Sequence, residues 1–156
     1  MESLLWAEDF KLLARVALAG GLGALIGLER EISDKPAGLR THIFVCSASA
    51  LLMLLGDAVL DNFKEEGHDS IQADPIRVIQ AIVIGISFLG TGTIIHQSGN
   101  RVEGLTTAAS IFLTAGIGVA VAVERYVLAA GTAVFGLVVL VVIGWIEHRL
   151  GRKGDG

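Results

Sequence analysis

The chain has one cysteine in 156 residues, Cys46. An internal disulfide is therefore excluded, and a lone thiolate cannot hold a structural metal. Cys46 lies inside an apolar run and reads as a packed core residue. Basic residues form no dense stretch and the formal net charge is −4, so neither a nucleic-acid stripe nor a polybasic lipid anchor is indicated. His42, His68, His96 and His148 are scattered, with no His or Cys partner at metal-ligand spacing. There is no phosphate-binding glycine loop and no nucleophile elbow. Glu29 and Glu31, two residues apart, point to different sides of a helix. No enzymatic role is expected. The N-terminus carries Glu2, Glu8 and Asp9 and lacks the positive start and small-residue cleavage site of a secretory signal, so the first apolar segment is expected to stay in the mature protein.

Apolar sequence is what the chain has in excess. At 53% hydrophobic residues it carries more apolar surface than a soluble domain of this size can bury. Its charged residues cluster between long apolar runs, and a spanning helix needs roughly 17 to 25 such residues. Five runs qualify: 10–28, 41–59, 77–95, 105–123 and 126–145. The expected fold is an all-α, polytopic membrane helix bundle, with the last two helices forming a hairpin across Glu124 and Arg125. Trp6 precedes the first run, and Tyr126 and Trp145 bracket the fifth at about 28 Å, near the thickness of a bilayer's hydrocarbon. Asp74 and Pro75 suit a helix start at the third, with Asp74 as the cap. The one sizeable loop, from Asp61 to Asp74, is acidic and too short for a domain.

Basic residues in short loops set orientation. Arg30, Lys35, Arg40, Arg101, Arg149, Arg152 and Lys153 fall on one side, and Lys11, Lys64, Arg77 and Arg125 on the other. That bias places the C-terminus in the cytoplasm and the N-terminus outside. Small residues recur every four positions: Ala19, Gly23 and Gly27; Ser87 and Thr91; Gly116 and Ala120. Such faces let helices approach closely in lipid, where apolar area alone gives no drive to associate, and they predict a tight bundle or a homo-oligomer.

Ionisable groups at membrane depth are the first functional candidates, because each is costly unless paired. Under this topology the cytoplasmic ends of the first four helices bring Glu29, Arg30, Arg40, Thr41, Thr91, Thr106 and Thr107 to one depth. Gly90, Gly92 and Gly104 lie beside them, where backbone can open. The set can form a small polar pocket for an ion or anionic group. It can equally form a sealed network in which Glu29 pairs with Arg30 or Arg40. Arg15 is expected to snorkel toward the outer surface. Gln80, one turn into the third run, suits a bond between helices. Asp74, Arg77 and Gln80 are second-rank candidates; Gly23, Gly27, Gly85, Gly90 and Gly92 are candidates for helix packing.

Four blocks, in order, resemble the MgtC/SapB family of bacterial inner-membrane proteins: residues 23–31 (GALIGLERE), 35–42 (KPAGLRTH), 85–92 (GISFLGTG) and 104–110 (GLTTAAS). Asp74-Pro75, Arg77 and Gln80 fit the same pattern. The resemblance implies one five-helix membrane domain over residues 1–156 with a cytoplasmic C-terminus. It also implies a role in adaptation to low magnesium and, in pathogens, survival in host phagocytes. Members of the family look like regulators that bind other membrane proteins, including the rotary ATP synthase, although the family was long labelled as magnesium transport. No cofactor is implied beyond a possible Mg²⁺ ligand. Three departures stand out. With the sequence running to Gly156, the ACT-like regulatory domain that many members carry is not expected in this chain. Glu103 also stands where the family usually has a basic residue, and Phe112 where Trp is common.

Two functions are therefore carried forward. One is a membrane regulator acting through helix faces. The other is a small cation transporter or channel using Glu29, Thr91, Thr106 and Thr107, in which one carboxylate would suffice for a hard cation only at a hydrated or shared site.

Overall fold

The computed structural model describes residues 2–65, 75–97 and 101–151. Five helices follow in order: α1 (Glu2–Ile32), α2 (Leu39–Glu65), α3 (Pro75–Thr91), α4 (Leu105–Ala122) and α5 (Tyr126–Gly151). A small antiparallel hairpin, β1 (Ile95–Gln97) and β2 (Arg101–Glu103), separates α3 from α4, with His96 opposite Val102. α1, α2 and α5 run past their expected ends, because polar residues continue the helix beyond the apolar segment.

The third helix corrects the sequence expectation. It stops at Thr91, four residues short of Ile95, and the hairpin begins where helix was expected. The last turn tightens into three-residue hydrogen bonds, Thr93 N–H to Gly90 O at 3.0 Å and Ile94 N–H to Thr91 O at 3.1 Å. The Thr93 hydroxyl donates to the same Gly90 carbonyl at 2.7 Å. Gly104 closes the hairpin at φ 90°, a left-handed conformation that favours glycine, and a Cβ there would collide with the Thr93 carbonyl.

Among the described residues, four helical segments are long and apolar enough to cross a membrane: Trp6–Ile32, Leu39–Val59, Leu105–Ala122 and Tyr126–Ile146. α3, at 17 residues, is apolar but shorter, spanning about 25 Å at 1.5 Å per residue. Large apolar side chains point outward, Val127 at 90% and Phe88 at 84% exposure, while His42, Ser49, Thr107, Ser110 and Thr114 are buried. That distribution inverts the soluble pattern and suits lipid as the outer solvent.

α2 is held between α1 and α4; α3 leans on α4 and α2, and α5 on α4 and α1. Close approach depends on glycine. A Cβ on Gly23 would stand 2.5 Å from the His42 carbonyl oxygen and 2.7 Å from Cys46 Cβ, and one on Gly27 would stand 2.8 Å from Leu39 Cα. On the other flank a Cβ on Gly118 would strike the Cys46 carbonyl. Thus α2 is gripped through the backbone at His42 and Cys46, and Cys46 is fully buried as expected. The grip on α4 comes from Gly118, whereas Gly116 of the anticipated stripe is exposed with nothing within 4 Å.

The ends of α1 and α4 each use an acidic residue in the left-handed region. Asp34 (φ 53°) ends α1, with Lys35 N–H to Arg30 O at 3.0 Å and Asp34 N–H to Glu31 O at 3.2 Å. Glu124 (φ 60°) ends α4 in the same way, with Arg125 N–H to Ala120 O at 2.8 Å and Glu124 N–H to Val121 O at 3.1 Å. Each pair of bonds satisfies carbonyls that the helix end would orphan.

Candidate functional site

The site lies at the end of the bundle where α1 finishes and α2 and α4 begin. Glu29 and Arg30 form a close pair: Arg30 Nε–H donates to Glu29 Oε2 at 2.6 Å and Nη2–H to Oε1 at 3.0 Å. The Ser33 hydroxyl donates to Oε1 at 2.9 Å. Both carboxylate oxygens are therefore engaged, and Arg30, 5% exposed, keeps its charge compensated inside the protein. Glu31, on the exposed side of the same turn, accepts the Leu39 backbone N–H at 2.9 Å. It caps α2, whose first N–H groups have no partner within the helix. Gly38 leaves the space for this reach, since a Cβ there would overlap the Glu31 carboxylate.

His42, fully buried, joins α2 to α4. Its Nδ1 lies 2.9 Å from the Gly38 carbonyl and its Nε2 3.1 Å from Ser110 Oγ. The Ser110 hydroxyl is also 2.8 Å from the Thr107 carbonyl oxygen, and the Thr114 hydroxyl donates to Ser110 O at 2.8 Å. Glu29 and Arg30 both act electrostatically on the His42 ring, so the ion pair and the seam form one polar neighbourhood. Among the described residues, no buried side-chain nitrogen or oxygen lacks a hydrogen-bond partner.

Of the residues singled out from sequence, Glu29, Arg30 and Thr107 contribute to this neighbourhood, Thr107 through its carbonyl. Thr41 is half-buried beside His42. Arg40, Thr91 and Thr106 are exposed, and the Thr91 hydroxyl donates to its own helix at Ser87 O, 2.8 Å. Gly90 faces Ala108 of α4, with a Cβ there 3.6 Å from Ala108 Cβ, while Gly92 lies in the turn after α3 and Gly85 faces open space. Arg77 and Gln80, exposed near the start of α3, sit at the opposite end; Asp74 lies outside the described residues. Glu103 is exposed in β2.

Sequence reasoning missed His42, Ser110 and the capping role of Glu31. A signal was present: Thr107, Ser110 and Thr114 recur at spacings of three and four, a polar stripe on an apolar helix. At the far end, Arg15 Nη2 meets Glu124 Oε1 at 2.6 Å, so the snorkelling arginine ties α1 to the α4–α5 turn. Arg149 stacks over the Trp145 ring, 4.3 Å from its centroid.

These features define a multi-pass helical membrane protein in which the buried charged and polar groups described at one end are paired within the bundle. The model of the MgtC family matches residues 16–149, and the chain belongs to that family. It is 32% identical over 148 residues to Protein SapB of Bacillus subtilis, covering 95% of this chain and 63% of that protein. It is 37% identical over 139 residues to "Putative magnesium transporter YhiD" of Escherichia coli K12, covering 89% and 63%. It is 42% identical over 98 residues to Protein MgtC of Salmonella typhimurium LT2, covering 63% and 37%. The chain thus spans less than two thirds of the length of these curated relatives. No solved structure matches it.

Proposed function

We propose that the chain is a non-enzymatic regulator in the bacterial inner membrane, with its C-terminus in the cytoplasm, serving ion and energy homeostasis when magnesium is scarce. It works through helix-face contacts with a second copy or with another membrane complex, of which the rotary ATP synthase is one candidate. The observation that supports this reading is the closure of the polar end: both Glu29 oxygens are held by Arg30 and Ser33. A conduction path needs ligands free to exchange with a hydrated ion, and a magnesium site needs carboxylates that keep several waters. Among the described residues no group of three His, Cys, Asp or Glu side chains is placed to hold a metal ion.

A second reading, magnesium or other cation transport, draws support from the name carried by YhiD. Divalent-cation flux into proteoliposomes, for wild type beside Glu29→Gln, separates the two. The regulator reading expects no flux from either folded protein, together with crosslinked partners in native membranes. Flux that is lost in Glu29→Gln would replace it with transport, and a chain that crosslinks to nothing in native membranes would also overturn it.

A further inference from the structure

The contacts around His42 contain more acceptors than a neutral ring can serve. Three heavy-atom contacts converge: Nδ1 to Gly38 O at 2.9 Å, Nε2 to Ser110 Oγ at 3.1 Å, and Ser110 Oγ to Thr107 O at 2.8 Å. A carbonyl oxygen only accepts, so Nδ1 must carry a proton to bond Gly38. In the neutral ring Nε2 is then a bare acceptor, and the single Ser110 hydroxyl proton has two claimants, Nε2 and the Thr107 carbonyl. With a second proton on the ring, Nε2–H donates to Ser110 Oγ and the hydroxyl turns to Thr107, so all three contacts are served at once.

We propose that His42 binds a proton reversibly inside the folded bundle, with the Ser110 hydroxyl turning from Nε2 to the Thr107 carbonyl as it does. The heavy atoms stay in place in either state. In the neutral state Thr107 O still accepts the backbone bond expected within α4, so no buried group is orphaned. The proton converts a neutral O–H···N contact across the α2–α4 seam into a charge-assisted N–H···O contact, which is the stronger kind. Proton binding thereby strengthens the seam that positions α2.

The surrounding charges permit this. From α1, the Glu29 carboxylate attracts an imidazolium and the Arg30 guanidinium repels it; as a bonded pair they present a dipole rather than a net charge. Cys46 lies one turn further along α2. From α4 the facing groups, Ser110 and Thr107, are uncharged. Burial of the ring opposes the charge and the hydrogen bonds to Gly38 O and Ser110 Oγ favour it, so the balance between the two sets the ring's protonation.

The test is a pH titration of the full chain in lipid nanodiscs, labelled with ¹⁵N-histidine and followed by solid-state NMR. The His42 signals are identified by their loss in His42→Gln. At high pH the ring is expected as the neutral form protonated on Nδ1, and at low pH as the doubly protonated form, while the bundle remains helical. Ser110→Ala is expected to lower proton affinity about tenfold, or one pH unit, on losing one charge-assisted bond. Ser110→Thr, which keeps a hydroxyl, should restore it. A wild-type ring that stays in one neutral form across the folded range would overturn the proposal. So would a neutral ring protonated on Nε2, or a midpoint indifferent to Ser110→Ala in a folded variant.

Discussion

Replacing Gly23 by alanine tests the grip of α1 on α2. The new Cβ would lie 2.5 Å from the His42 carbonyl oxygen and 2.7 Å from Cys46 Cβ. Neither neighbour is the end of a flexible side chain: one is helix backbone and the other is anchored directly to it. The two helices must therefore separate by a sizeable fraction of an ångström along their closest edge. Overpacking of this kind costs about 1–3 kcal/mol, against a gain of roughly 0.5–1 kcal/mol from placing alanine rather than glycine in a helix. Gly21 supplies the control. It lies two residues earlier on the same helix, is exposed, and would meet nothing within 4 Å. Gly21→Ala should therefore show only the helical gain; because that gain is common to both substitutions, it is left more stable than Gly23→Ala by the overpacking cost alone, about 1–3 kcal/mol. Thermal or denaturant unfolding in one detergent, followed by helicity, measures the difference. Equal stability of the two variants would refute the close approach at Gly23.

Two further changes address the helix ends. Glu31→Ala removes the cap from the Leu39 N–H and should cost about 1 kcal/mol, while Glu31→Gln, which can still accept that bond, should recover most of it; equilibrium unfolding reads both. A double-mutant cycle of Arg15→Gln and Glu124→Gln should give a coupling of about 0.2–1 kcal/mol that shrinks as salt rises, because this ion pair is partly open to solvent.

Several features were readable along the chain because they depend on local order. Apolar runs located the five helices, a pairing of Glu29 with Arg30 or Arg40 was one of the two arrangements open to the charged cluster, and the spacing of Gly23 and Gly27 marked a close-packed face. The end of α3 was missed, since the apolar pattern continues through Ile94 and Ile95 while the backbone bonds at Gly90 to Ile94 have already tightened into a turn. The candidate site was legible only in part. Helix depth can be read from sequence length, and it placed Glu29, Arg40, Thr91 and Thr106 at one level. Rotation about each helix axis cannot be read that way, and it turns Arg40, Thr91 and Thr106 outward.

By itself, then, the sequence determined the solvent, the helices and their order, because hydropathy and length are summed along the chain and a bilayer accepts few alternatives. The tertiary structure alone decided which polar groups meet. His42 reaches Ser110, 68 residues away, and Arg15 reaches Glu124, 109 residues away, only because glycines at 23, 27 and 118 let α1, α2 and α4 close to backbone contact. Contacts of that range depend on how three helices turn about their axes, which packing across the bundle fixes and no local pattern encodes.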